Sequence, residues 1–126
     1  MLLDGKHAII YGGGGAIGGA VARALAREGA TVHLAGRTPA TLDAVAEDVR
    51  AAGGTAHTAQ VDALDEAAVA AHADGVAASA GAIDISFSAI SYGDVQGTPL
   101  AGMPLADFER PVVTATRRRW RARSSR

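Results

Sequence analysis

Short apolar runs alternate with longer segments in which apolar residues recur every three or four positions. Runs of four to eight residues are typical of buried strands, and the longer spacing is typical of amphipathic helices. Pro111 predicts a kink or an early stop in the last helix. The predicted strands are 8–11, 31–35, 55–61 and 83–90, and the predicted helices are 17–28, 39–52, 65–79 and 105–116.

This regular alternation determines the fold class that we expect. Strands that alternate with helices form a parallel sheet covered by helices on both faces. We therefore predict a three-layer α/β fold of the Rossmann type, built as one domain over residues 1–116.

A glycine-rich turn, residues 11–18, lies between the first predicted strand and the first helix. Gly12 would make the tight turn, Gly14 and Gly15 would let a ligand approach the backbone, and Gly18 would let the helix pack on the strand. Amide groups at a helix N-terminus bind phosphate, so the context favours a dinucleotide pyrophosphate site. The alternative is a merely flexible glycine turn.

At this turn the sequence resembles the short-chain dehydrogenase/reductase family, whose pattern is T-G-x-x-x-G-x-G. Gly12, Ile17 and Gly18 match, whereas Tyr11 replaces the threonine and Ala16 the middle glycine. The resemblance continues at family spacing over residues 4–116. It implies a partial Rossmann sheet with strand order 3-2-1-4 and a cofactor crevice between the first and fourth strands.

Arg37 follows the second predicted strand, where the adenosine ribose is expected. An acidic residue there would bind the ribose 2′-hydroxyl of NAD, whereas an arginine offers charge-assisted hydrogen bonds to the 2′-phosphate of NADP. The sequence therefore favours NADP over NAD. The alternative is a solvated surface arginine beside the second helix.

The ends of the third and fourth strands supply the remaining candidate residues. The resemblance implies that Asp62, followed by Ala63, binds the adenine, although Asp62 is equally suited to capping the next helix. It also implies that Ser88 and Ala89 pack against the cofactor. The family motif there is N-N-A-G, of which only Ala89 matches.

The family's hydride chemistry uses a tyrosine acid/base and a lysine four residues later that lowers the tyrosine pKa. Lys6 is the only lysine, and neither Tyr11 nor Tyr92 is followed by one at that spacing. We therefore assign no catalytic residue. The expected function is that of an NADP-dependent oxidoreductase of carbonyl or alcohol substrates, truncated before its Ser-Tyr-Lys residues. The alternative is a non-catalytic nucleotide-binding or interaction module, whose fourth strand leaves an apolar sheet edge.

The amino-acid composition excludes some kinds of site and indicates where the protein is expected in the cell. The chain has no cysteine, which excludes disulfides and thiolate metal sites, and no apolar stretch as long as a membrane span. We expect a cytoplasmic protein, and a homo-oligomer is compatible with the sequence. The four histidines lie in different elements without ligand-like spacing, so we expect them at the surface or at strand ends and predict no metal site.

Charge separates the last ten residues from the rest. Residues 1–116 hold six basic and 13 acidic residues, a net charge of −7, whereas residues 117–126 carry +6. We expect this basic tail to be disordered. Our hypothesis is that it is read from a shifted frame of a gene rich in G and C, which an unbroken frame on resequencing would contradict. A nucleic-acid-binding arm is the disfavoured alternative, because a single tryptophan accompanies the arginines.

Overall fold

The order of elements follows the predicted alternation. A computed structural model describes residues 1–90 and 97–124, and Tyr92 lies outside these residues. Every predicted element is present, with bounds that differ by one or two residues except at α4, where the difference is larger. The elements are β1 His7–Tyr11, α1 Ala16–Arg27, β2 Thr31–Gly36, α2 Pro39–Ala51, β3 Thr55–Gln60, α3 Glu66–Ala80, β4 Ile85–Ser88, a 3-10 turn at Leu100–Gly102 and α4 Leu105–Ser124.

The four strands form one parallel sheet with the order β3-β2-β1-β4, which confirms the predicted order. In this register Tyr11 at the end of β1 pairs with Ala35 of β2 and with Ser88 of β4. The chain leaves β1 towards β2 on one side, and β4 lies on the other side. This reversal opens a crevice at the carboxyl ends of β1 and β4, where ligands bind in such sheets.

Successive residues of β1 point to opposite faces of the sheet, so each face has its own apolar core. On the α1/α2 face, Ile10 and Leu34 are buried against helix residues such as Leu42. On the α3 face, Ile9 packs with Val69 and other residues of a smaller cluster. The fold is therefore the predicted three-layer arrangement with helices on both sides.

Helix α4 differs most from the sequence-based expectation. It does not stop at Pro111, and it includes residues 117–124 of the tail that we expected to be disordered. Arginine and alanine are strong helix formers, so the sequence after the proline favours continuation of the helix. None of the helices in the described ranges is long and apolar enough to cross a membrane.

Candidate functional site

The glycine turn after β1 has a geometry that only glycine satisfies. Gly12 has a φ of +76°, and a Cβ there would lie 2.9 Å from the carbonyl oxygen of Ala89. The amides of Gly12 and Gly13 both donate to the carbonyl of Ala35, at 2.8 and 3.2 Å. The turn is thus fixed between β2 and the segment after β4, which argues against a merely flexible loop.

Helix α1 begins directly after this turn with unfilled donors. Its N-cap is Gly15, which has no side chain to cap the helix, so the first-turn amides remain available to an anion. A Cβ on Gly18 would collide with the carbonyl oxygen of Gly12, which explains the glycine at this position. Ile17 projects outward and is 68% exposed. This helix end is suited to bind a phosphate group.

A second wall of the site comes from the β2–α2 connection. Arg37 is exposed, and its backbone carbonyl accepts a hydrogen bond from Gln60 at 3.3 Å. The Thr41 hydroxyl donates to the carbonyl of Thr38 at 3.0 Å. A Cβ on Gly14 would collide with the Thr41 hydroxyl, so the glycine turn and α2 approach each other as closely as the backbone allows.

A third wall follows β3. One carboxylate oxygen of Asp62 accepts from the amide of Leu64 at 2.9 Å, which makes a local turn. The cap of α3 is Asp65, whose carboxylate accepts from the amide of Ala68 at 3.1 Å. The interpretation of Asp62 as the helix cap is therefore wrong. Asp62 keeps an exposed carboxylate beside the crevice.

These walls enclose a cavity of about 400 Å³ at the carboxyl ends of the strands. Seven of the ten predicted site residues line it, namely Gly12, Gly14, Gly15, Arg37, Asp62, Ala63 and Ala89. Ile17, Gly18 and Ser88 lie beside it without lining it; Gly18 shapes the turn and Ser88 ends β4.

Seven lining residues escaped the sequence analysis: Gly36, Thr38, Thr41, Leu42, Val61, Leu64 and Ile90. The two threonines could have been found, because hydroxyl groups one and four residues after Arg37 are suited to a phosphate. Leu42 and Val61 read as core residues in the pattern, and both are indeed buried. Their position in the cavity wall depends on tertiary packing, which the hydrophobic pattern of the sequence does not predict.

The architecture and the cavity agree with what known proteins show. The sequence model of the short chain dehydrogenase family matches residues 6–112. This chain belongs to that family. Short-chain dehydrogenases are oxidoreductases, and the parallel sheet with helices on both faces is the family's nucleotide-binding architecture.

Relatives and solved structures extend this assignment. An uncharacterized oxidoreductase of Mycobacterium tuberculosis is 55% identical over 60 residues, which are 48% of this chain and 23% of the relative. A 7alpha-hydroxysteroid dehydrogenase of Escherichia coli is 33% identical over 110 residues, 87% of this chain and 42% of the relative. A metagenomic short-chain oxidoreductase in complex with NADP is 30% identical with a TM-score of 0.82, covering 99% of this chain and 56% of that chain.

The chain spans less than half of these curated relatives and about half of that solved structure. The hypothesis of a shifted reading frame stays a prediction. The fold, in contrast, is shared over nearly the whole of this chain.

Proposed function

We propose that the cavity binds NADP(H) and that the protein is an oxidoreductase for hydride transfer between this cofactor and a carbonyl or alcohol. The pyrophosphate would lie at the N-terminus of α1, against the Gly12–Gly15 turn. The adenine would lie beside Asp62 and Ala63, and the 2′-phosphate beside Arg37. One observation carries this proposal: the exposed Arg37 lies on the cavity wall, directly after β2, where the family resemblance implies the ribose.

The surroundings of Arg37 favour a phosphate partner. Within residues 1–90 and 97–124, the Arg37 guanidinium has no carboxylate partner within ion-pair distance. The hydroxyls of Thr38 and Thr41 line the same wall. Guanidinium groups bind phosphate through paired, charge-assisted hydrogen bonds, and the Thr38 hydroxyl adds a further donor. The NADP complex of the metagenomic oxidoreductase supports this choice of cofactor.

The chemistry of the proposed reaction divides between cofactor and protein. The nicotinamide, when bound, supplies or accepts the hydride. This chain's residues would bind and orient the cofactor through the glycine turn and the two side walls. Lys6, the only lysine, precedes the amino end of β1 and is at the opposite end of the sheet from the cavity. It is therefore no partner for a catalytic tyrosine, and we assign the proton-transfer step to no residue of this chain.

The substrate class follows from the family and one relative. The Escherichia coli relative is a 7alpha-hydroxysteroid dehydrogenase, so the substrate in its name carries a hydroxyl group. This similarity supports an alcohol or ketone as the substrate here. Turnover of NADPH with a panel of ketones is the direct test, and consumption that depends on the ketone is the expected result for an active chain.

Replacement of Arg37 tests the cofactor assignment. Arg37→Ala removes the proposed phosphate partner, so we expect the Kd for NADPH to rise about 10- to 100-fold, because a charged hydrogen bond is worth roughly 1.5–3 kcal/mol. The Kd for NADH should change little, because NADH has no 2′-phosphate. The measurement is a fluorescence titration of each reduced cofactor.

Arg27→Ala is the matched control, because Arg27 is an exposed arginine in the last turn of α1, outside the cavity. It should leave both affinities unchanged. An equal loss of NADPH and NADH affinity in Arg37→Ala, or the same loss in the control, would contradict a 2′-phosphate contact.

A non-catalytic interaction module is the second candidate. Leu105, Phe108 and Val112 on α4 are 68%, 52% and 59% exposed, and β4 is the edge of the sheet. Exposed apolar side chains beside an open edge favour association with another protein. Steady ketone-dependent turnover by the purified chain would rule out this second candidate as the sole function.

A further inference from the structure

Three histidines lie side by side on three neighbouring strands, in the amino-terminal halves of the strands, whereas the proposed cofactor cavity lies at the carboxyl ends. His7, His33 and His57 belong to β1, β2 and β3, and His33 is the direct register partner of His57. Their ring centroids are 5.4 and 5.1 Å apart, and Nδ1 of His7 lies 3.1 Å from Nε2 of His33. We refer to these three residues as the histidine ladder.

Helix α3 covers the ladder and adds a fourth imidazole. His72 of α3 and the three ladder residues line one cavity of about 540 Å³ between the helix and the sheet. His33 is only 6% exposed, so the expectation of surface or strand-end histidines is wrong for this residue. In the part of the chain that the structure describes, Nδ1 of His72 is buried without a hydrogen-bond partner.

The charges that face His33 are almost all potential cations. His7 lies on β1, His57 on β3 and His72 on α3, and the carboxylate of Asp84 before β4 accepts from the His7 backbone amide at 2.9 Å. Burial, followed by positive charge on His57, His7 and His72, lowers the pKa of His33 to about 4. Burial also lowers the pKa of His72.

These four imidazoles form no evident metal site. Across the described ranges no group of three or more histidine or acidic side chains is arranged to hold a metal ion. His33 and His57 stack face to face, and a nitrogen of His7 is directed at one of His33, whereas metal ligands must direct their nitrogens towards one common point. The ligand to which the ladder can respond is therefore the proton.

Helix α3 is held to the sheet by few and small side chains. Its buried residues are Val69, Ala73 and Val76, and Val76 itself borders the cavity. No ion pair in the described ranges ties α3 to the sheet. A helix with such a small buried area separates at a lower free-energy cost than the rest of the fold.

We propose that the histidine ladder is an acid-sensitive latch that releases α3 from the sheet when His33 takes up a proton. An imidazolium at His33 would be buried, without a carboxylate beside it, and would face three further imidazoles. Separation of α3 exposes the ring to water, which removes the cost of burying the charge and weakens the repulsion by the other imidazoles. The α1/α2 face holds no histidine and should remain folded.

The direction of the pH effect follows from the two protonation states. The pKa of His33 is about 4 in the closed state and returns towards the ordinary 6.5 when α3 opens. The open state therefore binds more protons between these values. The closed state keeps its full stability above pH 6.5 and loses it progressively as the pH falls towards 4. Between about pH 7.5 and 5.5, the equilibrium constant for opening of α3 should rise about tenfold.

Release of α3 would also reach the cavity at the other end of the sheet. The wall formed by Asp62, Ala63 and Leu64 leads directly into the Asp65 cap of α3. A weaker affinity for NADPH at acid pH is therefore expected; this consequence alone rests on the proposed function, whereas the latch does not.

Amide hydrogen exchange of the purified chain at about pH 7.5 and 5.5, corrected for intrinsic exchange rates, tests the latch. We expect protection of the α3 amides to fall about tenfold at the lower pH while protection in α1 and α2 is kept. His33→Leu, which replaces the imidazole with an apolar group of similar size that cannot be protonated, should abolish the fall. His33→Gln serves the same purpose if the leucine variant does not fold.

His57→Gln is the matched control, because it removes an exposed ring of the ladder and leaves His33 in place. It should retain most of the acid response. The proposal is overturned if corrected α3 protection is equal at both pH values, if the His33 variants keep the response, or if all helices lose protection together. Loss of NADPH binding at both pH values with an intact exchange response would instead contradict only the proposed function.

Discussion

The two faces of the sheet differ in how they are packed. The α1/α2 face buries ten residues in one cluster, including Leu34 and Leu42, and leaves no histidine among them. The cluster on the α3 face has six buried residues, and the histidine-lined cavity lies beside it. One side of the same four strands therefore provides a rigid support for the glycine turn, and the other can respond to pH.

The difference begins in the sequences of the covering helices. Helix α2 places Leu42, Val45 and Val49 at helical spacing, which gives it a continuous apolar stripe. Helix α3 has the sequence EAAVAAHADGVAASA, in which most of the apolar residues are alanine. Alanine favours the helix but buries little surface, so α3 forms readily and packs weakly.

The largest change in the free energy of unfolding should come from truncating two neighbouring isoleucines of β1 that point to opposite faces of the sheet. Ile10 is fully buried on the α1/α2 face, and Ile9 is 1% exposed on the α3 face. We expect Ile10→Ala to lower the free energy of unfolding by about 4 kcal/mol and Ile9→Ala by about 2 kcal/mol, because the denser cluster loses more contacts. Urea denaturation measures both, and equal or reversed losses would break the comparison.

A smaller change in the free energy of unfolding is expected from truncating two valines of the covering helices. Val49 of α2 and Val76 of α3 are both nearly buried, at 2% and 6% exposure. Val49→Ala should cost about 2 kcal/mol and Val76→Ala about 1 kcal/mol, because Val76 already borders a cavity and its truncation only enlarges that space. If Val76→Ala were the costlier change by urea denaturation, α3 would be packed more firmly than we infer.

The sequence predicted the elements well because each carries its own periodicity. Apolar runs and amphipathic segments are local features, so β1 through α3 could be assigned residue by residue. The strand order came from the family resemblance of the glycine turn, and Arg37 and Asp62 were placed at the cavity by the same route.

Strand register and side-chain packing could not be predicted from the local sequence pattern. His33 and His57 meet only because β2 and β3 pair in one particular register, so the three ladder histidines, 24 or more residues apart along the chain, gave no motif. The continuation of α4 beyond Thr116 was missed for a different reason: the lack of apolar periodicity in the tail was given more weight than the helix propensity of its arginines.

The smallest effect should come from the ion pair that joins α1 and α2. Arg23 donates through two nitrogens to one carboxylate oxygen of Asp48, at 2.7 and 3.2 Å, and both side chains are substantially exposed. Solvent screens such a pair, so Asp48→Asn should lower the free energy of unfolding by less than about 1 kcal/mol, and about 1 M salt should remove the difference. A loss above about 2 kcal/mol that persists in salt would mean that charge, and not apolar burial, holds the firmer face together.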